Sequence, residues 1–447
     1  MPIHTFTSVI QPSAHTQEWN RFRWYASCVV RVRAIIDHNA LELWSDRGGP
    51  PLLPSLQSAR FRFDPRCVQR MLRLLSAPMR DLTLDFDSPS HRAWDGSRMS
   101  TADILSNMAT RSPDVEVLNL TFRTYPQDVC PVLPKFSCLR VLVVTGWMTP
   151  SLHKAIEALN HLETLYVKLY WARAEAGMES LQVRRYVSVK TIVILTLSEP
   201  LISAFRSTEF PMLECARLEV WPHSSDATEG LTQAMENLRN HASRLRSFYL
   251  TARSATAHGD RPPPQLTTVI GPLLRIPIME SLSITLEDNY SFALTRDDIL
   301  AFPAAWPHIT TLCLAHAPLA TSSPPPSIRV FFELIAACPR LETLVLCARF
   351  DCGGRGEWQD VSVSPHATLR GLFLGLLLET GSYNPERTWR ALAAAVDRAV
   401  PWMDLDRRLV RAEVVGAQAV ETWRGVVGHI RDLRSESAVH APSSPGW

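Results

Sequence analysis

Hydrophobic and polar positions along this chain recur in one short phrase: an apolar residue, two variable ones, an apolar residue, one variable, and an apolar residue. The phrase occurs twelve times between Leu56 and Leu374. Clear copies begin at Val115, Leu162, Met279 and Leu341, and others at Met79, Leu139, Val189, Leu245, Ile309 and Leu369, with degenerate copies at Leu56 and Leu213. An earlier copy begins at Val32, although its last anchor is an aspartate, Asp37. The fourth and sixth positions, such as Leu118 and Leu120, flank one variable residue, which is the period of a strand buried on one face. Each phrase therefore predicts a short strand.

Segments between the phrases carry helical spacing instead: Ile104, Leu105 and Met108; Leu152, Ile156 and Leu159; Leu231, Met235 and Leu238; Ile328, Phe331, Phe332 and Ile335. Successive phrases start roughly 23 to 36 residues apart, room for a strand, a turn, a helix and a return loop. A doubly wound sheet would alternate in the same way. Against it, the strand phrase recurs in sequence as well as in type, and no glycine-rich turn leads from strand to helix. The expected fold is α/β, a leucine-rich-repeat solenoid with a curved parallel β-sheet on the concave face, helices on the convex face and helical caps. No repeat covers its own apolar face, so stacking supplies the core. Prolines such as Pro113, Pro277, Pro307 and Pro339 stand between helix and strand, where they bar helix continuation.

The ends depart from the phrase. Residues 1–48 are read as an N-terminal helical cap with Trp19, Phe22 and Tyr25 on one stripe, residues 49–380 as the solenoid, 381–434 as a C-terminal helical cap, and 435–447 as a disordered tail.

Composition narrows the function classes. Apolar residues make up 46% and charged residues 20%, which suits a folded chain with a sizeable core. Lys and Arg total 46 against 44 Asp and Glu, so no global field selects nucleic acid or an anionic membrane as partner. The nine cysteines are scattered with no CxxC spacing, as expected of reduced thiols. Without a secretory-type leader or an apolar run of roughly 18 residues, the expected location is cytoplasmic or nuclear. The triplets at Asn119 and Asn289 then read as chance glycosylation matches.

Trp19-x-x-Phe22-x-x-Tyr25-Ala26 followed by Val32-Arg33, the phrase from Met79 to Leu84, and Cys338-Pro339-x-Leu341-Glu342-x-Leu344-x-Leu346 together resemble the fungal (basidiomycete-type) F-box/leucine-rich-repeat family over roughly residues 15–380. The resemblance implies repeats that hold a substrate for a cullin-based ubiquitin ligase. It also implies an F-box that binds a Skp-type adaptor, yet no Leu-Pro-containing F-box stands before Trp19. Adaptor binding is thus expected only where an F-box lies upstream.

Catalytic chemistry finds little support. The 14 histidines form no HExxH or zinc pattern, and His153 and His161 read as structural or solvent-facing. Cys313, Cys347 and Cys352 read as packing thiols, Gly353–Gly356 as a turn, and Trp147 and Trp221 as rim residues. No GxSxG elbow appears. No cofactor, metal or catalytic residue is expected. The expectation is a non-catalytic protein-interaction scaffold, monomeric by itself, binding neither nucleic acid nor membrane. The alternatives are a free-standing repeat protein unrelated to ubiquitin ligases and, more distantly, an enzyme. The candidate partner-binding face consists of variable strand positions: Thr83, Asp85, Asn119, Thr121, Tyr166, Lys168, Arg217, Glu219, Tyr249, Thr251, Ser283 and Thr285. Its mixed polar character with two tyrosines suits a protein surface better than a phosphate backbone.

Overall fold

All twelve phrases form strands, because alternating anchors leave one apolar edge that only a stacked neighbour can cover. The computed structural model describes residues 16–36, 53–62, 72, 78–86, 101–122, 130–146, 150–169, 184–197, 208–221, 227–253, 265–287, 294–315, 327–349, 364–377, 385–406 and 417–439. Two compact units are present, one of residues 1–200 and 207–213, the other of residues 201–206 and 214–447.

In the first unit, helix α1 (Thr16–Ser27) precedes strands β1 (Arg31–Ile36), β2 (Ser58–Arg62) and β3 (Asp81–Asp85). Helix α2 (Thr101–Arg111), β4 (Val117–Thr121), β5 (Val141–Gly146), α3 (Pro150–Glu157), β6 (Thr164–Leu169), β7 (Arg184–Arg185), β8 (Thr191–Leu197) and β9 (Thr208–Glu209) follow. Strands β1 to β6 and then β8 pair in chain order, every pair parallel. The two-residue strands β7 and β9 pair separately.

The second unit holds β10 (Cys215–Trp221), α4 (Ala227–His241), β11 (Ser247–Arg253), α5 (Leu266–Ile270), β12 (Ser281–Glu287), α6 (Arg296–Ala305) and β13 (Thr311–Ala315). It continues with α7 (Arg329–Ala337), β14 (Thr343–Arg349), β15 (Gly371–Leu377), α8 (Pro385–Ala399) and α9 (Ala417–Val439). Strands β10 to β15 are again parallel and in chain order. Parallel neighbours in sequence order, with α2 before β4, α3 before β6, α4 before β11, α6 before β13 and α7 before β14, and with equivalent phrase positions in register, make this a leucine-rich-repeat solenoid.

Register follows the phrase. Leu82, Leu118, Leu142, Leu165 and Ile192 form one buried row of the first unit, and Phe248, Leu282, Leu312, Leu344 and Leu372 one of the second. The first anchor of each phrase lies just ahead of the strand and closes a turn: the N–H groups of Leu139, Leu162, Ile309 and Leu341 donate to carbonyls three residues back. Where His366 occupies that earlier position, its ring substitutes for the carbonyl. The Leu369 N–H donates to Nδ1 at 3.1 Å, and Nε2 lies 2.9 Å from the Cys338 carbonyl oxygen, which fits the Nε2–H tautomer.

The strand at Val32 is offset from the sequence reading. Val32 pairs with Ala59, the fourth position of the next phrase, so Val32 is a strand anchor and not the opening residue of a copy. An irregularity between Val32 and Ile35 brings Ile36 opposite Phe61, and Asp37 lies outside the described residues. In α1, Trp24 and Tyr25 are exposed and meet edge to face at 5.0 Å.

At the other end, α8 leads into a turn at Val400–Met403 that repeats the geometry before each strand, and the Asp404 N–H donates to the Arg370 carbonyl. Helix α9 then packs on α8 and β15. Trp423 lies 6.0 Å from Phe373, and Arg434 bonds Asp397 at 2.8 Å. Gly425 permits this approach, since a Cβ there would lie 3.1 Å from the Trp389 ring. The helix runs through Val439, into the segment expected to be a tail. Arg434, held by Asp397 and the Met403 carbonyl, anchors its last turns, and Ser435 bonds back to the Arg431 carbonyl.

Helix α6, which carries Pro303, is held at its start by a capping box. The Asp298 N–H donates to Thr295 Oγ1, the Thr295 N–H donates back to Asp298 Oδ2 at 2.7 Å, and the Thr267 N–H of the preceding repeat donates to Asp298 Oδ1 at 3.3 Å. Asp298 is buried, so its loss orphans backbone donors from two repeats. We expect Asp298→Ala to destabilise the second unit by about 2 kcal/mol in urea unfolding, with Asp298→Asn costing less.

Candidate functional site

Residues that alternate with the buried anchors point away from the helices, and pairing aligns them into rows. In the first unit one row runs Thr83, Asn119, Val143, Tyr166, Val193. A second row runs Asp85, Thr121, Thr145, Lys168, Leu195. Asn119 Nδ2 donates to Thr83 Oγ1 at 3.1 Å, so the Asn119 side chain ties adjacent repeats together. Tyr166 is half-buried between Val143 and Val193 and is therefore the centre of an apolar strip. Asp85 does not present its carboxylate as expected: it is 8% exposed, and the surface it was assigned falls to Thr121 and Lys168.

In the second unit the corresponding rows are Arg217, Tyr249, Ser283, Cys313 and Glu219, Thr251, Thr285, Ala315. Arg217 and Tyr249 are exposed side by side, with the Tyr249 hydroxyl 3.5 Å from Ser281 Oγ. Glu219 is engaged inside the chain, its carboxylate 3.7 Å from Arg253 Nη2. The first of these rows continues through Val345 to Phe373, both buried, with Trp423 of α9 against Phe373. The apolar run near Leu372–Leu378, which reads as a buried strand, fits this, since β15 is covered on both faces over residues 371–375. The open face of this unit thus spans β10 to β13.

Every residue of the candidate set lies within the described residues and on the expected face. Sequence reasoning passed over Val143, Val193, Thr145 and Cys313, which share that face. They occupy the same phrase positions as Tyr166 and Lys168, which is the signal that identifies them.

Thiols on the face are poor nucleophiles. Burial pushes the Cys313 thiol up, opposed by a hydrogen bond from Ser283, and burial likewise raises Cys215 against the charge of Arg217. Behind the sheet, burial pushes Cys338 up to about 11. Cys347 is fully buried. His153 is buried against Tyr186, Nδ1 to hydroxyl 2.5 Å, while His161 is exposed. Cys67, Cys352, Trp147, Gly353–Gly356, Asn289 and the side chains of Trp19, Phe22 and Trp221 lie outside the described residues. Among the described residues no group of three or more His, Cys, Asp or Glu is placed to hold a metal, and no helix is long and apolar enough to cross a membrane.

A second concavity lies at the strand-entry edge of the first unit, an open groove of about 650 Å³. Glu116, Arg140, Glu163 and Lys190 line it, together with His161 and Cys138 from the preceding turns. Opposite charges alternate along it, so neither an anion nor a cation meets a uniform field.

No family model matches the chain, and no curated protein matches it. Among solved structures it is similar to a chain of the yeast Rad7–Elc1 complex at 12% identity and a TM-score of 0.29, covering 75% of this chain and 71% of that one. It is also similar to a chain of the TLR13–ssRNA13 complex at 14% identity and a TM-score of 0.29, covering 76% of this chain and 47% of that one. Likenesses this distant carry no functional conclusion.

Proposed function

We propose that the chain is a non-catalytic scaffold that holds a polypeptide partner on the sheet face opposite its helices. The observation that supports this reading is the pair of tyrosine-centred patches. Tyr166 stands half-buried between two valines with Thr145 and Thr164 nearby, and Tyr249 stands exposed beside Arg217 with Ser283, Thr251 and Thr285 around it. Tyrosine offers a large amphipathic contact at low entropic cost, and small hydroxyl residues around it leave room for a partner backbone. Neither Lys168 nor Arg217 shares its row with a second cation, so the face lacks the array a phosphate backbone requires. The resemblance carried by the repeats and by the Trp19–Arg33 segment extends the proposal: the partner is a substrate of a ubiquitin ligase, and a Skp-type adaptor is bound only where an F-box lies upstream.

A photoreactive residue at 166 or 249, with Asn240 on α4 as the control, tests the face in cells. A protein crosslinked from the two tyrosine positions and absent from the control is the expected result, and equal capture from Asn240 would sink the proposal. Lys168→Glu and Arg217→Glu are then expected to weaken that partner by about tenfold each, roughly 1.4 kcal/mol. Recovery of an adaptor and cullin with an F-box-containing chain tests the ligase extension separately.

A further inference from the structure

Along the strand-entry edge, the residue after the first anchor forms a continuous backbone ladder in each unit. In the first, the N–H groups of Arg80, Glu116, Arg140, Glu163 and Lys190 each donate to the carbonyl of the equivalent residue one repeat earlier, at 2.8 to 2.9 Å. The second unit does the same through Arg246, Glu280, Thr310, Glu342, Arg370 and Asp404, starting on the Glu214 carbonyl. The next residue's N–H joins the same carbonyl, as Ser281 does on Arg246 and Gly371 on Glu342. This column is fixed by main chain, so its side chains are held one strand spacing apart, about 4.8 Å.

Charge alternates along it. The first unit reads Arg80, Glu116, Arg140, Glu163, Lys190; the second reads Glu214, Arg246, Glu280, Thr310, Glu342, Arg370, Asp404. Contacts follow at 3.4 Å between Arg80 and Glu116, 3.4 Å between Lys190 and Glu163, and 2.7 Å between Arg246 and Glu280. All are exposed, so each pair is weak taken alone. The buried anchors, by contrast, are nearly interchangeable: Leu118, Leu165, Leu282 and Leu344 occupy one phrase position. Apolar burial therefore hardly distinguishes the correct neighbour from the repeat beyond it or from a repeat of another chain.

We propose that this column is a stacking code, in which alternating sign selects the sequence-adjacent repeat and disfavours stackings that skip one. Skipping a repeat sets Arg80 against Arg140, Glu116 against Glu163, and Glu214 against Glu280. Many weak terms of one sign then separate the correct array from its competitors, and misassembly is a characteristic failure of repeat proteins. Thr310 is the single neutral step between Glu280 and Glu342, and strict alternation would place a cation there.

Urea unfolding and amide exchange at the β12–β14 ladder of the full chain test the code with Thr310→Lys, Thr310→Gln and Thr310→Glu. All three lose the Thr310 Oγ1 bond to the Glu280 carbonyl, so differences among them isolate charge. At low salt the expected order of stability is Lys above Gln above Glu, with about two- to fivefold between successive folding constants. In 1 M salt, where the screening length falls to about 3 Å, the order is expected to vanish. A lysine no better than glutamine, or an order unchanged by salt, overturns the proposal. As a second arm, R370E places three acids in succession and is expected to lower the low-salt midpoint. The inversion E342R/R370E/D404R restores alternation and is expected to recover it; no recovery also overturns the proposal.

Discussion

Replacing Trp306 with alanine is expected to destabilise the second unit by about 3 to 5 kcal/mol, the largest effect of any single substitution proposed for this chain. Trp306 is fully buried at the end of α6, stacked on Phe302 with the rings 5.6 Å apart and nearly parallel. Its indole Nε1–H donates to the Leu273 carbonyl at 3.2 Å, and Leu273 opens the short 3-10 turn Leu273–Arg275 that follows α5 in the preceding repeat. One side chain thus fills the space between two repeats and adds a second donor to a carbonyl that also accepts from the Ile276 N–H. Alanine removes both the volume and the donor. Trp306→Phe separates them, because the ring volume is largely kept while the Leu273 carbonyl loses one of two donors and keeps the Ile276 N–H, a loss of about 1 kcal/mol. Neighbour-only stacking localises the damage. Amide exchange should accelerate first in β12 and β13, while β3 to β5 hold; uniform acceleration across the chain would contradict the repeat-by-repeat account.

The second large effect is at Gly146, the last residue of β5. Its φ of +139° lies in a region that side chains avoid, and a Cβ there would stand 2.4 Å from the Phe122 carbonyl oxygen. That oxygen belongs to backbone held in the ladder, where the Phe122 N–H donates to the Thr145 carbonyl at 2.8 Å. Phe122 is in turn stacked at 5.2 Å on Phe86, so the ring cannot swing aside without opening the end of the β3–β4 pair. Gly146→Ala combines a backbone penalty with a clash and is expected to cost roughly 2 to 3 kcal/mol in the first unit. A thermal midpoint within a degree of the parent would refute it.

Much of the architecture was legible because the repeat states it again and again. Leu118 and Leu120 carry the same message as Leu282 and Ile284, so an error in one copy is outvoted by the others. The strands missed were those outside the phrase: β7 and β9 are two residues each and have no periodicity to display. Helices α5 and α6 were missed for different reasons. The five residues of α5 are too few for a helical stripe, and Pro303 reads as a breaker although α6 tolerates it close to its C-terminus. The capping box at Thr295–Asp298 was the local signal for α6 that periodicity overlooked.

The candidate face was legible in position and only partly in content. Strand alternation places Tyr166 and Tyr249 opposite the anchors whatever their neighbours are. Which residues flank them depends on pairing between repeats more than twenty positions apart, and so Val143 and Val193 joined the patch only in three dimensions. The withdrawal of Asp85 and the engagement of Glu219 by Arg253 are likewise decided by neighbouring strands.

By itself, then, the sequence determined what short-range periodicity can encode: a strand at every phrase, its buried face, the parallel chain order and the face on which the candidate residues lie. The tertiary structure alone decided what depends on contacts between repeats. It moved the first strand's register to Val32, closed the face over β14 and β15 with Trp423 on Phe373, and carried α9 through Val439. It also assembled the second phrase position, a variable residue in any one copy, into a column of alternating charge. The physical reason is range: side-chain alternation acts over two residues and repeats in every copy, whereas burial, ion pairing and helix docking depend on neighbours brought together only when the repeats stack.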